Sequence, residues 1–126
     1  MNIPNFHDGH FDGLWLDFDK VVSLFLRTSD RRLYTVRLQG VQEMTLSDVK
    51  AGNIIFDLVL RSARELTSSD VQILYELDES SEQAANVLNS TRGKELQILE
   101  LNATYGAQGL FLFESYEISE RADKMP

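Results

Sequence analysis

Both histidines of the chain lie in one short segment that could do chemistry, the run His7-Asp8-Gly9-His10-Phe11-Asp12. Imidazole nitrogens and carboxylate oxygens are ordinary ligands of Zn²⁺, and the same set suits Ni²⁺ or non-haem Fe²⁺. A structural turn is the alternative, in which Asp8 accepts hydrogen bonds from backbone N–H groups near Gly9 to Phe11. The sequence favours the turn and keeps His7 and His10 as candidate metal ligands, with carboxylates as the further ligands that a metal would need.

No other segment carries a recognised catalytic or cofactor pattern. The chain has no cysteine, which excludes disulfides, thiolate metal sites and cysteine nucleophiles. It has no Gly-x-Ser-x-Gly elbow, and its glycines form no phosphate-binding loop. The sequence therefore predicts no catalytic residue and no cofactor, and it leaves open whether the chain is an enzyme.

Aromatic and acidic side chains near the first strand predict a binding surface. Trp15, Tyr105 and Phe111 are candidates for stacking against a partner or ligand, with core packing as the alternative. Exposed carboxylates at the first turns, among them Asp19, are candidates for charged contacts. The candidate binding residues are His7, Asp8, His10, Asp12, Trp15, Asp17 and Tyr105.

The charge of the chain bears on the class of partner. With 20 acidic and 12 basic side chains, the net charge is -8. Binding to nucleic acid needs clustered Lys and Arg, so this balance disfavours it, whereas an acidic field speeds encounter with a basic protein surface. We therefore expect a non-catalytic binding protein that engages a protein partner, with a small-ligand- or metal-binding domain centred on His7-Asp8-Gly9-His10 as the alternative. The oligomeric state stays open.

The length predicts one domain and the composition predicts a cytoplasmic one. At 126 residues the chain has the size of a single domain, which we place at 1–119 and follow with a frayed charged tail at 120–126. Its start has no basic region or apolar run, which argues against a signal peptide, and no apolar run is long enough for a membrane span. The lack of cysteine favours a reducing compartment.

Alternating apolar residues predict a mainly β (α+β) fold. Six strands are expected, with 41–46 as a short strand or bulged edge, Asp19-Lys20 as a two-residue hairpin loop and 102–109 as a long turn. Two short helices are expected at 69–77, which also fits a strand, and at 81–92. These elements predict a curled antiparallel sheet, a sandwich or partial barrel, with a two-helix insertion between strands. The six strands are Leu14–Phe18, Val21–Arg27, Leu33–Leu38, Ile54–Leu60, Leu96–Leu101 and Leu110–Ile118.

The predicted core follows from the same alternation. Residues on one face of each strand should be buried together, namely Leu24, Leu26, Ile54, Phe56, Leu58, Leu110 and Leu112. Phe56 lies in the most apolar segment, so its truncation should be costly. Leu14, Leu16 and Phe18 should share one face of the first strand.

Four short motifs carry a resemblance: Phe6-His7-Asp8-Gly9, Leu38-Gln39-Gly40-Val41, Gly52-Asn53-Ile54-Ile55 and Tyr105-Gly106-Ala107. Together they resemble a group of small bacterial β-rich domains that are similar to the immunity proteins of toxin systems. The resemblance spans most of the chain. It implies a small bacterial protein with a binding role, carries over no catalytic residue, and leaves the partner open.

Overall fold

The structure is a computed structural model that describes residues 3–121, and it consists mainly of antiparallel strands with two helices between β5 and β6. The mainly β (α+β) prediction with a two-helix insertion is therefore confirmed. The strands are β1 (His10–Asp17), β2 (Val21–Arg27), β3 (Leu33–Gln39), β4 (Glu43–Ser47), β5 (Ile54–Ser62), β6 (Gln97–Tyr105), β7 (Gln108–Phe113) and β8 (Ser115–Glu120). The helices are α1 (Ser68–Tyr75) and α2 (Glu82–Arg92), after a 3₁₀ turn at Ala63–Glu65.

The strands form one open sheet that curls, in the order β4-β7-β6-β5-β1-β2-β3-β8. The two ends of this order are tied by the chain itself, since β3 leads into β4 and β7 leads into β8. At that corner the Glu114 N–H donates to the Gln39 carbonyl, and the Gln42 N–H donates to the Leu112 carbonyl. The ladder therefore bends through the corner, which gives the sheet the curl that the sequence predicts.

Two hydrophobic clusters lie on the two faces of the sheet. The larger one fills the inside of the curl and includes the fully buried Leu24, Leu26 and Phe111. The second lies between the helices and the outer face of β6 and β7, where Ile98 and Leu112 are fully buried. Because side chains alternate along a strand, β6 and β7 supply both clusters.

Side-chain caps fix the helix starts. The Thr67 hydroxyl accepts the Asp70 N–H, and the Asp70 carboxylate accepts the Thr67 N–H. This reciprocal pair is a capping box, and it begins α1 one residue before the predicted start at 69. The Ser81 hydroxyl accepts the Ala84 N–H and begins α2. Both predicted helices are therefore present.

The turn predicted at 102–109 is wrong in extent. β6 runs to Tyr105 and β7 begins at Gln108, which leaves a tight connection at Gly106-Ala107. Gly106 has a φ of 92°, and a Cβ there would lie 2.3 Å from the side-chain oxygen of Asn53. That oxygen also accepts the Ala107 N–H. The turn depends on a buried amide far away in the sequence, so the local pattern could not reveal it.

Two other boundaries also differ. The strand predicted at 110–118 is divided at Glu114, where the chain bends between β7 and β8. The loop predicted as Asp19-Lys20 includes Phe18 as well, because Asp17 pairs with Val21. Glu120 of β8 pairs with Tyr34 of β3, so the last strand extends one residue into the predicted tail. Residues 122–126 of that tail lie outside the described part of the chain.

The predicted core is wrong at Phe56 and combines two separate clusters. The register of β5 against β6 shifts between Ile55 and Asp57, so that Phe56 is an extra residue in a bulge and is 53% exposed. Ile55 is buried in its place, while Ile54 and Leu58 are half-buried. Leu24 and Leu26 are buried inside the curl, whereas Leu110 and Leu112 are buried beneath the helices.

Candidate functional site

The end of β1 and the loop that follows it present large apolar side chains to solvent. Trp15 is 62% exposed, Leu16 63% and Phe18 88%. Three large apolar side chains exposed within four residues suggest an interaction site, since scattered single residues are the usual pattern on a soluble protein. We call residues 15–20 the hairpin tip, and it is the candidate binding site.

The sheet explains why these side chains remain uncovered. β1 pairs with β2 along its whole length, but within residues 3–121 it pairs with β5 at His10 alone. The segment 13–17 therefore has a neighbour on one side, and no described strand covers its other edge. The prediction that Leu14, Leu16 and Phe18 share one face of the first strand is wrong at Phe18, which lies in the loop after β1. The inner cluster ends at Leu14 and leaves Leu16 exposed.

Hydrogen bonds to the backbone hold the hairpin tip in one shape. The Asp17 carboxylate accepts the Phe18 N–H at 2.7 Å, and the Val41 N–H donates to the Lys20 carbonyl at 2.9 Å. Asp19 and Lys20 each have a φ of 62°, which Asp tolerates better than most residues. The tip is thus formed before any partner arrives, with the exposed carboxylates of Asp17 and Asp19 beside its apolar side chains.

The two histidines have separate surroundings. The His7 Nδ1 lies 2.7 Å from the Phe56 carbonyl and donates to it, since a carbonyl can only accept. Its Nε2 lies 3.6 Å from a carboxylate oxygen of Asp8. Among residues 3–121, no three His, Cys, Asp or Glu side chains come together in an arrangement that could hold a metal ion. The structure thus offers the metal alternative no ligand set in the described part of the chain.

The role predicted for Asp8 is wrong. No backbone N–H in residues 3–121 donates to its carboxylate, which is 67% exposed. The turn is held instead by the backbone: the Asp8 N–H donates to the Ile55 carbonyl, and the Gly9 N–H donates to the Phe6 carbonyl. A Cβ on Gly9 would lie 2.1 Å from the carbonyl oxygen of Arg27, so this close approach requires glycine.

We expect the Asp8→Asn variant to unfold with a free energy within about 0.5 kcal/mol of the parent, because only an exposed charge is removed. Asp8→Ala should cost more, about 1–2 kcal/mol, because Asp8 has a φ of 61° and alanine is strained there. Urea unfolding of both variants measures the difference. A large loss in Asp8→Asn would show that the turn needs the negative charge of Asp8.

The remaining predicted residues have structural partners or lie apart from the hairpin tip. The Asp12 carboxylate is only 14% exposed and accepts the Arg27 Nε at 2.8 and 3.0 Å, so it is not the exposed carboxylate that the sequence predicts. His10 and Tyr105 flank Ile54 in one cross-strand row on β1, β5 and β6. A cavity beside His10 and Asp12 has a volume of about 130 Å³. Small-molecule sites are usually larger, about 300 Å³ or more.

Sequence reasoning missed a buried ionic network beneath α1. The Arg61 guanidinium donates to both carboxylate oxygens of Asp70, each at 3.0 Å, and its Nε donates to Glu100 at 2.5 Å. A groove of about 300 Å³ lies between this network and β4, with Thr45, Asn102 and Gln108 in its wall. The Thr-x-x-Asp spacing at Thr67 was the one local signal, since it marks the cap that places Asp70.

The network shifts the titration of its members. The hydrogen bonds that Arg61 donates to Asp70 are the main reason that the pKa of Arg61 is raised. Burial raises the pKa of Asp70, but hydrogen bonds from Arg61 and Thr67 outweigh it, and the pKa lies below its ordinary value. Both groups are therefore charged at neutral pH, and the network acts as a structural anchor for α1.

No family model, curated protein or solved structure matches this chain. None of the helices within residues 3–121 has the length and apolar character needed to cross a membrane. Among the described residues, the hairpin tip is the most distinctive exposed feature of the chain.

Proposed function

We propose that this chain is a non-catalytic binding protein that engages a protein partner with a basic surface through the hairpin tip. The observation that carries the proposal is the exposure of Trp15, Leu16 and Phe18 at the hairpin tip, whose backbone is already fixed. Aromatic side chains of this kind dominate the binding energy of many interfaces. A preformed loop also loses little conformational entropy on binding.

Charge supports the class of partner. Asp17 and Asp19 lie beside the apolar side chains, and the chain as a whole carries a net charge of -8. A basic partner would be steered toward such a surface, and the gain in association rate would fall as salt rises. The apolar contacts would then provide most of the affinity once the two surfaces meet.

A bacterial, cytoplasmic setting with an immunity-like or regulatory role fits this kind of binding. An immunity-like protein neutralises a toxin by covering it, which needs a rigid contact surface and no catalysis. The four short motifs that resemble immunity-like domains and the absence of cysteine support this setting. The toxin or regulated protein would be identified as the partner that the immobilised chain captures through the hairpin tip.

We expect Phe18→Ala to weaken partner binding by about 2 kcal/mol, roughly thirtyfold, because an anchoring aromatic is lost. The experiment captures partners on the immobilised chain at low and high salt, then measures affinity with the purified partner. Trp15 is the sole tryptophan, so its fluorescence reports directly on the tip. Partner binding should shift its emission to the blue and protect it from acrylamide.

Ile73→Ala is the matched control, because it also removes an exposed apolar side chain. Ile73 lies on α1 and is 49% exposed. It should leave the affinity unchanged. Asp17→Asn with Asp19→Asn should slow association mainly at low salt. A partner that binds Phe18→Ala as tightly as the parent, and leaves Trp15 equally open to acrylamide, would contradict the proposal. The proposal would also be contradicted if the chain captured no salt-sensitive protein partner and instead turned over a small molecule.

A further inference from the structure

A second charged feature lies at the other end of the β1–β2 ladder. Arg27, Arg31, Arg32 and Arg121 line a groove of about 340 Å³ together with Leu33 and Glu120. These four are a third of the 12 basic side chains in a chain whose net charge is -8. We call this feature the arginine groove. Such a local excess of positive charge in an acidic protein calls for an anionic ligand.

Contacts on the strands hold two of the arginines in place. Arg27 lies at the end of β2, and its Nε donates a hydrogen bond to the Asp12 carboxylate. The Arg121 guanidinium lies 5.1 Å from the centre of the Phe25 ring, and its backbone N–H donates to the Leu33 carbonyl. Both side chains are thus positioned by the sheet, which limits the entropy lost when a ligand binds.

The other two arginines come from the turn between β2 and β3. The Arg31 N–H donates to the Thr28 carbonyl, and the Thr28 N–H donates to the Arg32 carbonyl, each at 3.0 Å. Arg31 is exposed and has a φ of 70°, as a fixed turn residue does. The turn therefore brings Arg31 and Arg32 to the mouth of the groove.

Carboxylates beside the groove offset part of its positive charge: Asp12 pairs with Arg27, and a carboxylate oxygen of Asp30 lies 3.7 Å from the Arg32 Nε. Burial is the main reason that the pKa of Arg121 is lowered; the negative charge of Asp12 opposes this shift, and the positive charge of Arg27 makes the smallest contribution to it. Glu120 is the one carboxylate residue that lines the groove in the described part of the chain. The wall of the groove therefore presents four guanidinium groups and one carboxylate to a ligand.

We propose that the arginine groove binds the phosphate groups of a small molecule. Guanidinium groups present paired donors that match phosphate oxygens, so a cluster of them recognises this chemistry well. The volume of the groove lies within the range of small-molecule sites. A nucleic acid fits less well, because the acidic remainder of the chain would repel an extended phosphate backbone. The site is separate from the hairpin tip, about 20 Å away along β2.

Isothermal titration with inorganic pyrophosphate tests the proposal, with a nucleoside diphosphate and sulfate as parallel probes at constant ionic strength. We expect saturable binding of one pyrophosphate per chain. Arg31→Gln with Arg32→Gln should weaken it by about tenfold or more, because charge-assisted hydrogen bonds are lost. Arg64→Gln, an exposed residue of the 3₁₀ turn, removes one charge elsewhere and should change little. Tighter binding of the nucleoside diphosphate would identify the phosphate source as a nucleotide.

The absence of saturation at roughly 10 mM pyrophosphate, where a millimolar site would be mostly filled, would overturn the proposal. Equal weakening by Arg31→Gln and Arg64→Gln would also overturn it, because that result indicates general charge attraction. Arg31→Gln alone keeps the test valid if the double variant unfolds, since Arg31 is an exposed turn residue. Phe18→Ala should bind pyrophosphate like the parent, which separates this result from that of the hairpin tip.

Discussion

Phe111→Ala should lower the free energy of unfolding by about 3–5 kcal/mol, which is the usual loss when a buried aromatic ring is removed from a packed core. Phe111 has no exposed surface and lies on β7 between Met44 of β4 and Leu99 of β6. Its ring belongs to the cluster inside the curl, where strands from both halves of the sheet meet. The gap left by alanine would remove contacts that neighbouring strands cannot restore by a small movement.

Phe56→Ala is the matched control, because it deletes the same ring from a strand of the same sheet. Phe56 is 53% exposed and stacks edge-on against His7, so its loss should cost under about 1 kcal/mol. Urea unfolding of both variants gives the two differences. A loss of similar size in the two variants would show that the bulge in β5 does not turn Phe56 outward.

This contrast shows how far the sequence predicts the fold. Strict alternation located β2 and β3 to within a residue, because these strands pair regularly along their length. The same rule failed in β5, since one extra residue at Phe56 reverses which side chains face inward. A bulge depends on the neighbouring strand, and no local pattern in Ile54–Leu60 marks it.

The candidate site was predictable in part for a similar reason. The sequence identified Trp15 and Asp17 from residue type and turn position. It placed Leu16 and Phe18 on one face of the first strand, and it could not show that β5 leaves β1 after His10. The exposure of the hairpin tip is thus a property of strand order. The arginine groove likewise joins Arg27 to Arg121 across β2, β3 and β8, and the chain separates them by most of its length.

Asp70→Asn should lower the free energy of unfolding at neutral pH by about 3–5 kcal/mol, the usual loss when one partner of a buried ion pair is removed. The Asp70 side chain is 11% exposed and that of Arg61 is 16% exposed. Without the carboxylate, Arg61 would keep Glu100 as its one described carboxylate partner. The cap of α1 would weaken as well, because the same carboxylate accepts the Thr67 N–H.

The pH dependence separates this ionic role from simple packing. The pKa of Asp70 lies below its ordinary value of 3.8 in the folded chain, so the unfolded chain takes up the proton more readily in acid. The stabilisation is therefore fully present above pH 3.8 and is lost as the pH falls through the folded value. The difference between the parent and Asp70→Asn should shrink in that range. Asp48→Asn, which removes an exposed charge, should stay within about 0.5 kcal/mol of the parent at neutral pH. A difference for Asp70→Asn that stays constant down to the acid transition would assign the loss to packing of α1, because a lost charge pair must respond to protonation.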